Sequence, residues 1–229
     1  MAATKPGFTI VKSIERADAD LVERFRGLAA ANISDVQGKQ NTFDARVKPI
    51  YAPMEPLCGT AITVKARPGD NLLSTKAIHL AQPGDVIVIA GGFDMNLSVW
   101  GGVMSAMAKK KGVAGVVTDG LVRDVAETRE VGLAVFSIGL TPVGPTKESA
   151  GQINVPISCG GVIVNPGDII VGDEDGVVVV RKDEAEAVLE RTHARMELER
   201  QWFEQIARGE TILEDSDDDL RARGAEVRD

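Results

Sequence analysis

Histidine, cysteine and aromatic residues are scarce in this chain, and each scarcity removes a class of chemistry. His79 and His193 are the two histidines, each in a stretch of helical spacing and neither beside a second histidine or a GxSxG run. A histidine triad or an HExxH zinc site therefore has no material. Cys58 and Cys159 lie far apart with no CxxC pair, which disfavours a disulfide scaffold or structural zinc and fits a reducing, cytoplasmic setting. No two glycines are separated by a single residue, so the dinucleotide fingerprint and the P-loop are both missing. No apolar window reaches the roughly 18 residues of a membrane span, and Met1 to Gly7 lacks the apolar centre of a signal peptide. Basic residues are the minority charge, 26 against 34 acidic ones, with Lys109-Lys110-Lys111 the longest basic run. Nucleic acid and anionic membranes are poor partners for such a surface.

What is present is a folding chain of 229 residues, 44% hydrophobic and 26% charged. With aromatics at 4%, the core must come from small and branched aliphatic side chains, which favours a sheet-rich interior. Asp18 to Ala31 has helical spacing, with Asp18 or Asp20 as the cap. Cys58 to Val64, Asp85 to Ala90, Val113 to Val117 and Ala134 to Ile138 read as buried strands. Helices are expected over Asn71 to Ala81 with Asp70 as its cap, over Val99 to Lys110, and over Asp124 to Val131 with Gly132 ending it. This alternation gives an α/β core. From Ile153 to Val180 short strands follow one another without helices, which predicts an antiparallel β layer. Asp183 to Arg208 reads as a long amphipathic helix whose exposed Trp202 and Phe203 suggest a neighbouring subunit. One domain is expected over residues 1–210, with a mobile acidic tail over 211–229. Pro-Gly-Asp occurs at Pro68, Pro83 and Pro166 and is read as a turn signal.

Thr118-Asp119-Gly120-Leu121-Val122-Arg123-Asp124 lies just past a buried strand and just before a helix, where open α/β sheets bind ligands. Asp124 suits a hard divalent cation that keeps its waters, and Arg123 offers a fork of donors to a carboxylate or oxyanion. The same residues also read as a capping box, Asp124 with Glu127 and Arg123 pairing with it. Both readings stand on sequence alone. Gly91-Gly92-Phe93-Asp94 through Trp100-Gly101-Gly102-Val103-Met104 is a glycine-rich loop opening a helix, whose N–H groups could receive a carboxylate; glycines also simply permit tight turns. Glu199 is by default a solvated charge.

Taken in order, Gly69-Asp70-Asn71-Leu72, Ala81-Gln82-Pro83-Gly84-Asp85-Val86, Trp100-Gly101, Gly112-Val113-Ala114-Gly115-Val116-Val117 and Asp119-Gly120-x-x-Arg123-Asp124 resemble the RraA-like family. The likeness continues through Thr141-Pro142-x-Gly144-Pro145, Gly160-Gly161-Val162, Pro166-Gly167-Asp168 and Gly172-Asp173-x-Asp175-Gly176. That family contains 4-hydroxy-4-methyl-2-oxoglutarate aldolases with oxaloacetate decarboxylase activity, and the regulator of ribonuclease E activity. The resemblance implies a β/β/α layered sandwich of the swivelling-domain type, in homotrimers or homohexamers with sites at subunit boundaries. It implies Mg2+, or Mn2+ in its place, held at Asp124 largely through water. It further implies Arg123 on the pyruvate enolate oxygen, amides of Gly101, Gly102, Val103 and Met104 on the pyruvyl carboxylate, and Glu199 reaching a neighbour's site. Many aldolase members carry an acidic residue where this chain has Gly101-Gly102, so the proton-handling water lacks its usual partner. The expected function is a metal-dependent lyase acting on an oxo acid. The alternative is a non-catalytic binding protein that modulates another protein such as a ribonuclease.

Overall fold

The computed structural model describes residues 7–210 and 216–228. Most of the stretch read for a signal peptide, and residues 211–215 and 229 of the acidic tail, lie outside the described residues. The chain opens with β1 (Thr9–Ile10), α1 (Ala19–Arg24), α2 (Ala30–Val36) and β2 (Lys48–Pro49). The α/β core follows as β3 (Leu57–Lys65), α3 (Leu72–Leu80), β4 (Asp85–Ala90), β5 (Ser98–Trp100), α4 (Gly102–Lys110), β6 (Gly115–Thr118), β7 (Leu121–Val122), α5 (Val125–Val131), β8 (Ala134–Ser137) and β9 (Gly139–Leu140). It ends with β10 (Gln152–Ile153), β11 (Ile157–Cys159), β12 (Val162–Val164), β13 (Ile169–Asp173), β14 (Gly176–Val180), α6 (Ala185–Ala207) and α7 (Asp217–Ala222).

β3, β4, β6 and β8 run parallel side by side. Side chains alternate across a strand, so one apolar run feeds two cores. In β4, Ile87 and Ile89 pack with Leu73 and Ala77 of α3 and Ala108 of α4, while Val86 and Val88 pack with Phe136, Ile157 and Val164 on the other face. The β13–β14 hairpin joins the same sheet antiparallel to the first half of β3, with Ile169 opposite Thr60 and Gly172 opposite Leu57. Its Val177 and Val179 face the second core, and Val178 and Val180 face Phe25, Ile33, Val188 and Leu189 of the α1, α2 and α6 side. The result is an α/β sandwich with β/β/α layering and a long C-terminal helix.

Several expectations need correction. The helix expected over Asp18 to Ala31 is two, because Gly27 turns the chain at φ 78° between α1 and α2; Asp18 is the cap of the first. The start of the helix expected at Val99 is instead β5, which pairs with β7. The strands after Ile153 do not form a layer of their own: β10 and the β13–β14 hairpin both join β3, and β11–β12 alone form a separate two-stranded sheet. Trp202 is half-buried beneath the Arg195 guanidinium, 5.0 Å from its ring centre, so it is Phe203, at 71% exposure, that faces solvent. Within the expected tail, Ser216 and Asp219 form a capping box that starts α7. No helix among the described residues is long and apolar enough to cross a membrane.

Candidate active site

A further sheet of three parallel strands, β5-β7-β9, builds the site. Each strand delivers one component at its carboxyl end. β5 runs through Gly101 into the first turn of α4, β7 runs into Arg123 and Asp124, and β9 runs into Thr141 to Gly144. Main-chain bonds lock the three exits together, Arg123 N–H to Trp100 O at 3.1 Å and Thr141 N–H to Val122 O at 3.0 Å. Behind them Trp100 Nε1 donates to Ser105 Oγ at 2.9 Å, and Ser105 Oγ stands 3.0 Å from Thr128 Oγ1, tying α4 to α5 in the interior.

Of the two readings left open for Asp124, the capping box is not formed. Asp124 has left-handed backbone angles, φ 58° and ψ 48°, and its side chain caps nothing in α5. Its Oδ2 instead accepts from Gly102 N–H at 3.0 Å, so the carboxylate points across to the start of α4. A non-glycine residue in this conformation costs about 1 kcal/mol, the kind of local strain that clusters at functional sites. Arg123 Nε lies 3.5 Å from Asp124 Oδ2, with the two side chains 40% and 39% exposed. A pair so accessible contributes at most about 1 kcal/mol, so neither group is consumed by folding. A Cβ on Gly101 would sit 2.7 Å from Asp124 Oδ2, and one on Gly144 would sit 2.9 Å from the Arg123 guanidinium. Glycine at those positions leaves room for both charged groups.

The four-amide carboxylate receptor needs one revision, since the Gly102 N–H is already taken by Asp124. Val103 and Met104, as first-turn residues of α4, have N–H groups without intrahelical acceptors. Met104 is also touched by a residue that sequence reasoning missed as part of the site: Asn71 donates from Nδ2 to Met104 Sδ at 3.2 Å, while its buried Oδ1 has no partner. Only its place in the Gly-Asp-Asn-Leu run could have flagged it. Among the described residues no three His, Cys, Asp or Glu side chains converge as a metal cage. The donor set is therefore wrong for zinc, but one carboxylate with a free oxygen beside open space fits a hard ion that keeps most of its waters.

Glu199 is not brought to this group within one chain. It accepts from Asn32 Nδ2 at 2.6 Å and from Arg195 Nε at 3.0 Å. It lines a cavity of about 450 Å³ together with Met196, Arg200 and Phe203. His79 and His193 sit exposed on α3 and α6. Asp119, named in the same run as Arg123, is a buried organiser: its carboxylate accepts from the N–H groups of Gly91, Gly92 and Gly160.

Residues 27–179 match the RraA-like family, described as Aldolase/RraA. The chain belongs to the RraA-like family. A Halalkalibacterium halodurans protein provisionally named 4-hydroxy-4-methyl-2-oxoglutarate aldolase is 39% identical over 178 residues, covering 78% of this chain and 84% of that protein. A Pseudomonas syringae pv. tomato protein of uncharacterised function superposes with a TM-score of 0.78 at 26% identity, over 86% of this chain and 92% of that one. The RNA-processing inhibitor RraA of Thermus thermophilus superposes with a TM-score of 0.61 at 30% identity, over 66% of this chain and 92% of that one.

Proposed function

We propose that this RraA-like protein is a divalent-metal-dependent lyase that cleaves a pyruvate-containing hydroxy-oxo acid by a retro-aldol reaction and decarboxylates oxaloacetate. The observation that carries the reading is the convergence, at the ends of β5, β7 and β9, of one guanidinium, one strained and accessible carboxylate and the free amides of a helix N-terminus. The aldolase name of the Halalkalibacterium halodurans relative supports it.

In this reading the substrate's pyruvyl carboxylate docks on the Val103 and Met104 amides, helped by the positive end of the α4 dipole. The oxo oxygen faces Arg123. The proton-carrying water takes the distal hydroxyl proton, the hydroxyl carbon becomes the carbonyl of a second product, the adjacent carbon–carbon bond breaks, and that bond's electron pair flows into the pyruvyl half to give an enolate. Arg123 holds the oxygen where that charge develops, which is where a preorganised donor lowers the barrier most. A divalent ion at Asp124, Mg2+ or Mn2+, would supply further charge stabilisation there. Water then protonates the enolate carbon and pyruvate leaves; oxaloacetate reaches the same enolate by losing carbon dioxide. Glu127 is the acidic residue beside position 102, its Cβ 2.9 Å from where a Gly102 Cβ would lie, and in this reading it serves the proton-carrying water in place of an acidic residue at 102.

The lyase reading also makes the protein a homotrimer or homohexamer, in which Glu199 of one subunit completes a site on another. The second reading, a non-catalytic modulator of a ribonuclease, is favoured by the structural likeness to Thermus thermophilus RraA. Arg123→Ala separates the two. Pyruvate release from oxaloacetate and from 4-hydroxy-4-methyl-2-oxoglutarate is expected to fall by about 10²-fold or more, the cost of deleting one oxyanion donor. A wild-type protein inactive on both acids overturns the lyase reading.

A further inference from the structure

The three Pro-Gly-Asp turns differ in what their carboxylates hold. Asp85 takes Arg16 through two bonds of 2.9 Å, and Asp168 takes Arg181 at 2.7 Å; both carboxylates are buried at the start of a strand. Asp70 is as deeply buried, at 1% exposure, but its partners carry no charge. Its Oδ2 accepts from Thr146 Oγ1 at 2.9 Å, Glu148 N–H at 2.8 Å and Ser149 N–H at 3.0 Å, and its Oδ1 accepts from Leu72 N–H at 3.0 Å. The main chain doubles the grip, Thr146 N–H to Gly69 O at 2.8 Å and Asn71 N–H to Thr146 O at 3.0 Å. The gripped segment is the continuation of β9, and two residues before Thr146 stands Gly144, against the Arg123 guanidinium.

We propose that Asp70 is a positioning residue for the Arg123 site, fixing the loop from Gly144 to Ser149 as the wall against which the guanidinium rests. The proposal rests on the reading of Arg123 as the oxyanion holder. An ionised acceptor can serve three donors on one oxygen, and such charge-assisted bonds are about twice as strong as neutral ones. Burial raises the Asp70 carboxyl, but the N–H groups of Glu148, Leu72 and Ser149 and the Thr146 hydroxyl outweigh it and hold it below its ordinary value. Asp70 is thus an anion at neutral pH. An asparagine keeps the shape but turns one end into a donor facing donors.

The test compares wild type, Asp70→Asn, Thr146→Val and Asp168→Asn, the last removing a carboxylate of the same motif and burial outside the site. Three readouts are taken: kcat and KM for pyruvate release, amide hydrogen exchange over 141–149, and the Arg123 Nε–H resonance. Asp70→Asn is expected to lower kcat at least tenfold, to speed exchange at Thr146 to Ser149 and to shift the Arg123 signal. Thr146→Val should do the same more weakly and stands in if Asp70→Asn does not fold. Asp168→Asn should lower the thermal midpoint and leave all three unchanged. Gly144→Ala, crowding Arg123 with Asp70 intact, should lower kcat with exchange at Thr146 to Ser149 unchanged. A kcat within twofold of wild type in Asp70→Asn overturns the proposal. If the wild type releases no pyruvate, the lyase reading fails on its own, and an Arg123 resonance unmoved in Asp70→Asn overturns the positioning role independently.

Discussion

Asp124 shows how a single residue can be read two ways until its backbone is known. Capping residues hold extended angles and turn their side chain onto their own helix; Asp124 is left-handed and turns its carboxylate to Gly102 instead. Gly101→Ala should expose this dependence, since its methyl would lie 2.7 Å from Asp124 Oδ2. Mn2+ affinity, followed by titration calorimetry, is expected to fall at least tenfold while the far-ultraviolet circular dichroism stays that of the wild type. The two cysteines give a second prediction at this scale. Cys58 is pushed up to about 11 by burial, and burial together with the neighbouring Asp119 carboxylate also pushes Cys159 well above its ordinary value. A raised thiol stays protonated below its shifted value, and the thiolate is the reactive form. Native protein should therefore resist maleimide at pH 8 and react at both cysteines only once unfolded in denaturant.

Among the elements, the junctions between strands matter more than the strands themselves. Asp119 joins three of them, because the N–H groups it accepts belong to the exit of β4 and to the turn between β11 and β12. Asp119→Ala would orphan all three donors, at about 1 kcal/mol or more each. A loss of roughly 3 kcal/mol is expected from the urea unfolding midpoint, with Asp119→Asn intermediate. The parallel strands were legible because both faces are buried, so after the polar start at Asp85 the run Val86-Ile87-Val88-Ile89-Ala90 is apolar without a break. Gly132 was legible as a helix stop for its own reason: its φ of 69° is one that glycine takes freely. β5, β7 and β9 were not legible. Ser98–Trp100 and Leu121–Val122 are too short to carry a period, and their pairing is decided by tertiary contact. The position of Arg123 and Asp124 after a strand was therefore readable, whereas the small sheet that aims them at α4 was not. The Asp124-Glu127 spacing left two readings open for the same reason, since a capping box and a site carboxylate share one sequence pattern.

At the scale of the whole molecule, α6 carries the unfinished business of the fold. Phe203 and Ile206 are 71% and 54% exposed, and Glu199 is paired on the α2 side without reaching Arg123. If a second copy covers this face, Phe203→Glu should halve or further reduce the mass seen by light scattering. It should also lower kcat without changing the circular dichroism spectrum; an unchanged mass would remove Glu199 from the site. The lyase reading itself depends on the ion at Asp124. The most direct measurement is pyruvate release from oxaloacetate and 4-hydroxy-4-methyl-2-oxoglutarate with Mg2+, with a chelator, and with Asp124→Ala. Turnover that needs the ion and is lost in Asp124→Ala is the expected result. Turnover indifferent to chelator, or retained in Asp124→Ala, would contradict it.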